Sequence, residues 1–445
     1  MRGDPQEIQE IATWLTQDEN PCLWVDPLTG TNAYGVAPWP QTGLKEWGSA
    51  TASGLSDSGL EVARQVLHDG FTTPRFLAAE LLAAYGLDPD AYEVAFYPSG
   101  TAALAAGAVG WQGALDQVLI CHPDDTGSNV HLSLAQKGLA LTVVSAYGET
   151  GQRLSPMAYS RDFARQVGQG KRVLMVMTEV TKSGSIIPDE ATVLACQQRD
   201  RQRLQVLVDA CQGRFTAQRL REYLDRGWRV AITGSKFIGG PPFSGALLGH
   251  REGPGKLPTE AMAQSLAPGA CLRWRVALAE LQAWQRADHR PLAACLVEFQ
   301  RRLFDRMATE PRLCLEPVTR LGHLSGSGDW DDYPTIFPFS VALPGGMPGW
   351  LGQEALRRLL LELVAPGRPL RGRWGQPVCL HRTAGEARWA LRICLGVRQL
   401  LPWLDPAVES RVAVAQAVEE CAELLHETVV LAARQADLSV TSGLI

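Results

Sequence analysis

Six short apolar runs lie between residues 94 and 232: Val94–Tyr97, Gln117–Ile120, Leu141–Val144, Val173–Met177, Val206–Val208 and Val230–Ile232. They are nearly continuous rather than alternating, so strands built from them must be covered on both faces. Longer amphipathic stretches separate them, and crossover helices of that kind make parallel neighbours. The expected fold class is therefore α/β, a mostly parallel sheet flanked by helices. The 445 residues, 46% of them hydrophobic, are enough for a large core and more than one lobe. Residues 1–74, rich in Gly, Pro, Trp and Thr, read as an N-terminal arm, 75–270 as the large domain and 271–302 as a linking helix. Residues 303–445 read as a smaller α/β domain, with strands at Phe337–Leu343 and Trp389–Cys394 and helices at Gln353–Val364 and from Pro406 towards Gln435.

Charge and composition narrow the partners. A net charge of -5 gives no basic surplus for nucleic acid. No apolar run is long enough to cross a bilayer, and Met1–Glu10 lacks the pattern of a signal peptide. The ten cysteines are scattered without a CxxC pair, which suits reduced thiols in a cytoplasmic protein. The eight histidines form neither HExxH nor a Cys/His cluster, so no metal is expected. Small molecules are the expected partners.

Three signals follow apolar runs, at strand ends where open α/β sheets place their ligands. In Tyr97-Pro98-Ser99-Gly100-Thr101-Ala102-Ala103 a strand turns through Ser-Gly-Thr into an alanine-rich helix, whose first N–H groups suit a phosphate; a plain helix cap would read the same way. In Val206-Leu207-Val208-Asp209-Ala210-Cys211-Gln212-Gly213 a buried strand ends in a carboxylate, which needs a cation or strong donors unless it caps the next helix. In Ile232-Thr233-Gly234-Ser235-Lys236-Phe237-Ile238-Gly239-Gly240 a lysine follows a strand among hydroxyls and glycines, a setting that fits a Schiff-base lysine better than a solvated one.

Ser-Gly-Thr, then Asp-x-x-Gln, then Ser-Lys before a glycine-rich turn resembles the fold type I pyridoxal-phosphate-dependent enzymes. Within them the chain is most similar to the class V aminotransferase branch, which includes cysteine desulfurases and kynureninases. The resemblance implies the fold type I plan: a large domain with a mostly parallel sheet and a smaller α/β C-terminal domain. It implies pyridoxal 5'-phosphate as cofactor, carried by Lys236. Ser99, Gly100 and Thr101 would then bind the phosphate, with Thr233 and Ser235 completing the cup. Asp209 would pair with the pyridine nitrogen, and Gln212 would lie near the ring hydroxyl. Arg392, in Ala390-Leu391-Arg392-Ile393-Cys394, resembles the arginine that takes the substrate α-carboxylate, and Tyr34 would line the entrance. A homodimer is implied, with Leu266–Ala270 reaching the partner's phosphate.

The resemblance also has gaps. The position just before Asn129 and Ser128 is Gly127, where class V relatives carry a group stacked on the ring; His122 and His131 are the nearby substitutes. The loop after the Val173–Met177 run reads Thr178-Glu179-Val180-Thr181-Lys182-Ser183-Gly184 in place of the relatives' asparagine. The expected reaction is β- or γ-elimination or replacement on an amino acid, with transamination and a non-catalytic regulator as alternatives. A desulfurase would need a reactive cysteine, for which Cys379 is the one placed candidate, against its reading as a buried structural thiol.

Overall fold

A computed structural model describes residues 5–16, 23–32, 35–48, 53–109, 111, 115–127, 129–167, 171–258, 266–317, 323–324, 328–382 and 387–442, with side chains as far as 434. In chain order the strands are β1 (Leu44–Trp47), β2 (Tyr92–Tyr97), β3 (Gln117–Cys121), β4 (Leu141–Val144), β5 (Val173–Thr178) and β6 (Leu204–Asp209). They continue with β7 (Arg229–Thr233), β8 (Gly245–His250), β9 (Leu313–Leu315), β10 (Ile336–Val341), β11 (Arg371–Arg382) and β12 (Ala387–Cys394).

Seven strands form one sheet in the order β2-β8-β7-β6-β5-β3-β4. All neighbours are parallel except β8, which runs antiparallel to both β2 and β7. The continuous apolar runs are explained by two cores. Leu119, Met175, Met177, Val206, Val208, Val230 and Ile232 face one, and Val118, Ile120, Leu174, Val176, Leu207 and Ala231 face the other. Successive side chains of a strand point to opposite faces, so two covered faces require apolar residues at every position. The edge strand β4 is the exception, with Val143 43% exposed.

The second sheet has the order β1-β11-β12-β10-β9. Its first strand comes from the N-terminal arm and pairs parallel with β11. The arm is thus less irregular than its composition suggests. Helices Pro5–Thr16 and Asp57–Asp69 bury Ile11, Leu15, Ala63 and Val66 against Leu272 and Val276. The expected linking helix over 271–302 is instead two helices, Pro268–Arg286 and Leu292–Met307. Ala287 turns extended and Pro291 caps the second helix; a proline there cannot continue the first. Pro268 opens its helix, so Leu266–Ala270 is a helix start with Gly269 and Ala270 buried rather than a free loop. Helix Gln353–Val364 lies where its periodicity placed it, and the last helix, Ser410–Ser442, begins four residues beyond Pro406.

Candidate functional site

Register brings the strand ends together. Thr178 of β5 lies opposite Asp209 of β6, which in turn lies opposite Ala231 of β7. The Asp209 carboxylate is 6% exposed, and its burial is offset by two donors. Thr126 Oγ1 donates to Oδ2 at 2.9 Å and the Cys211 N–H to Oδ1 at 3.2 Å. Thr126 belongs to the loop after β3, two strands away in the sheet. The Glu179 N–H, from the loop after β5, donates to the Asp209 carbonyl at 2.8 Å. The loops after β3 and β5 are thereby tied to the end of β6.

Lys236 stands three residues beyond β7. Its φ of 58° is left-handed, a conformation that costs a non-glycine residue about 1 kcal/mol. The turn is held in place by the Gly234 N–H on the Ser244 carbonyl (2.9 Å), the Gly239 N–H on the Lys236 carbonyl (3.1 Å) and the Gly240 N–H on the Gly234 carbonyl (3.0 Å). The half-buried Lys236 amine makes no hydrogen bond or ion pair with any described residue.

At the end of β2, Gly100 starts helix Gly100–Val109. A Cβ there would lie 2.6 Å from both Cys211 Sγ and Thr233 Cγ2, so this approach of three loops demands glycine. The hydroxyls around it divide into two groups. Ser99 Oγ accepts from the Ala102 N–H at 3.1 Å and caps the helix, while Thr233 Oγ1 donates to the Cys211 carbonyl at 2.8 Å and closes the turn. Thr101 and Ser235 have no hydrogen-bond partner among the described residues. Gln212 is buried with its Oε1 unpartnered. Two hydroxyls, a helix start, a buried amide oxygen and an unpaired lysine therefore face one another's loops beside a buried carboxylate.

Arg392 on β12 reaches this edge from the second sheet. It is buried, with Nε donating to the Gln376 carbonyl at 2.9 Å and Nη1 to the Lys182 carbonyl at 3.5 Å. Lys182, in the loop after β5, donates from Nζ to the Pro123 carbonyl at 3.0 Å. Tyr34 and Ser128 lie outside the described residues.

No protein-family model matches the sequence, and no curated protein matches it. Solved structures do match in shape. A NifS-like protein from Rickettsia africae superposes with a TM-score of 0.55 at 12% identity, over 86% of this chain and 99% of that one. The serine palmitoyltransferase of Sphingomonas wittichii gives 0.53 at 14%, over 86% and 88%. The chain has the fold of the fold type I pyridoxal-phosphate enzymes. A C-DES mutant with glycine covalently linked to its pyridoxal-phosphate cofactor gives 0.52 at 16%, over 85% and 97%.

Within this fold type I frame, two residues that the fold brings to the site, Thr126 and Lys182, had no assigned role in the sequence. Thr126 and Lys182 reach the site only through pairings between distant segments, and no local pattern marks either. His131 Nε2 meets the Cys121 carbonyl at 2.8 Å, and burial lowers its pKa. His122 Nδ1 lies 3.3 Å from Asp124 Oδ2, and its ring packs edge-on to Tyr147. His122 is thus engaged by its own loop, whereas His131, on helix Val130–Gln136, leaves its buried Nδ1 without a partner. Cys379 is buried at a bulge of β11 and donates to the His381 carbonyl at 3.3 Å.

Behind the site lies an ionic cluster that the sequence did not suggest. His323 bridges Glu179 Oε1 (2.9 Å) and Asp332 Oδ1 (3.2 Å), and the Tyr223 hydroxyl donates to Glu179 Oε2 at 2.5 Å. Arg219 lies 3.7 Å from Glu190, Asp331 and Asp332, while Glu190 also pairs with Arg226. His323, Asp331 and Asp332 come within metal-ligand spacing, but Arg219, Thr216 and Glu179 already engage them.

Proposed function

We propose that the chain is a pyridoxal-phosphate-dependent enzyme acting on an amino acid, with the cofactor attached to Lys236. The observation that carries this reading is an unpaired lysine in a left-handed turn, set beside a buried carboxylate at the end of the neighbouring strand. The residues fit the group. Gly100 keeps the cradle open, Thr101 and Ser235 have hydroxyls to give a phosphate, and the buried Gln212 Oε1 is without the partner a ring hydroxyl would supply. When bound, the cofactor supplies an electron sink for the electron pair left at the substrate Cα.

The chain's own groups make that sink effective. Asp209, oriented by Thr126 and the Cys211 N–H, holds a proton on the pyridine nitrogen. Lys236 moves the proton at the substrate Cα, and its amine carries no competing partner. Arg392 binds the α-carboxylate through its planar fork. The reaction is elimination or replacement at the β or γ carbon, a reading supported by Gly127 and the loop around it, where relatives place a group against the ring. The active unit is a homodimer.

Three measurements test this. Borohydride followed by peptide mapping places the cofactor on Lys236; an adduct on another lysine defeats the proposal. Amino acids with a β or γ leaving group yield a keto acid and ammonia, or a substituted amino acid, with no amino acceptor present. Strict dependence on a keto acid would make the enzyme an aminotransferase. Light scattering gives twice the 48.4 kDa chain mass, and an active monomer contradicts the dimer.

A further inference from the structure

The loop after β5 brings a second lysine to the same site. The Lys182 N–H donates to the Asp125 carbonyl at 2.8 Å and its ammonium to the Pro123 carbonyl at 3.0 Å, lacing this loop to the one after β3. Among the described residues the Arg392 guanidinium is answered only by backbone carbonyls, those of Gln376 and Lys182. Neither cation makes an ion pair among the described residues. The nearby carboxylates are engaged elsewhere without pairing Lys182: Asp125 meets Arg153 through Oδ1 and leaves Oδ2 buried and unpartnered, and Asp124 is held by Arg382 at 3.3 Å, the Tyr147 hydroxyl at 2.6 Å and His122.

A half-buried ammonium and a buried guanidinium that share one loop and meet only carbonyl oxygens have no ion pair, which an anion from outside the chain would supply. The crowding registers on Lys182. Burial and then the Arg392 charge push its pKa down to about 8, Lys236 acts in the same direction, and Asp125 and Asp124 oppose. The ammonium is therefore charged near neutrality but ready to gain from a partner.

We infer that Lys182 and Arg392 form a two-cation receptor, so that the substrate is an amino acid bearing a second anionic group on its side chain. This rests on the reading of Arg392 as the α-carboxylate anchor. Arg392 takes that carboxylate in its fork, and Lys182, a compact charge on a flexible stem, takes the side-chain anion. A neutral side chain leaves Lys182 without an ion pair, which turns the receptor into a filter against neutral amino acids.

Calorimetric titration with succinate and propionate tests this without turnover, because neither has an amine to react. Near pH 7 the wild-type protein binds succinate at least about tenfold more tightly than propionate. Lys182→Met brings the two within about twofold, and Lys182→Arg retains the preference. In the wild type the preference fades by about pH 9.5, as Lys182 loses its proton among Arg392, Lys236, Asp124 and Asp125. Equal binding of the two acids by the wild type, or a preference that survives Lys182→Met, overturns the inference. Mapping the borohydride adduct on the same preparations separates the failures. An adduct on Lys236 with no diacid preference defeats this inference alone, and an adduct elsewhere defeats the functional reading.

Discussion

The carboxyl edge of the large sheet and the ionic cluster behind it both bury charge, but they finish it differently. In the cluster, His323 stands between Glu179 and Asp332, and Arg219 among four carboxylates, those of Glu190, Glu222, Asp331 and Asp332. At the edge, Lys236, Lys182 and Arg392 make no ion pair, and the hydroxyls of Thr101 and Ser235 no hydrogen bond, among the described residues. Paired burial holds a structure together, whereas unpaired burial raises its energy and is expected where a ligand completes it. Both regions share one segment. Glu179 belongs to the cluster and Lys182, three residues on, to the edge, so the rigid region positions the reactive one.

If that division is right, substitutions at the edge should cost activity and those in the cluster should cost stability. The largest effect is expected for Lys236→Gly, with turnover falling by about ten-thousandfold or more. Its unfolding free energy should stay within about 1 kcal/mol, because glycine relieves the left-handed turn while gaining freedom in the unfolded chain. A large loss of stability would mean that the lysine is structural.

His323→Ala should do the reverse. Two buried carboxylates lose their shared cation, and denaturant unfolding should show a loss of about 3–5 kcal/mol. A change below about 1 kcal/mol would show that the cluster does not anchor the loop.

Asp209→Asn should lower turnover about a hundredfold or more while leaving the melting temperature nearly unchanged, since the amide oxygen can still accept from the Cys211 N–H and the Thr126 hydroxyl can turn to accept from the amide NH2. Near-normal turnover would move the electron sink elsewhere.

The smallest effect is one of pH. Burial alone would lower the His323 pKa, but the adjacent Glu179 overrides it and raises the value to about 9. A pKa raised in the folded state gives stability that is complete below the unfolded value, near 6.5, and is lost as pH climbs through about 9. Melting temperature should fall over that window in the wild type and more gently in His323→Gln. Parallel slopes would mean that another group titrates.

What the sequence disclosed depended on whether a residue's neighbours were local. The sheet was legible because strands covered on both faces must be apolar throughout, as Val173–Met177 is. Asp209 and Lys236 stood out because each departs from such a run at its end. Strand β8 was missed because Gly245 and Gly249 give it the look of a glycine-rich turn, and β11 because Arg371-Gly372-Arg373-Trp374-Gly375-Gln376-Pro377 is polar and bulged. Thr126 meets Asp209 across 83 residues and Arg392 meets Lys182 across 210, distances that only the folded sheet closes.

The antiparallel β8 has a consequence for motion. Because it returns beside β7, with Thr233 opposite Gly245, residues 234–244 form a loop clamped at both ends by strand pairing. A Cβ on Gly245 would lie 2.1 Å from the Ser99 carbonyl, so the clamp is also wedged against the start of the neighbouring helix. Wide opening of the lysine-bearing turn would have to separate β7 from β8, the third and second strands of the large sheet. Its amides at Gly234 and Gly240 should accordingly exchange with deuterium on the time scale of global unfolding, hours rather than seconds, unlike those of an ordinary surface loop.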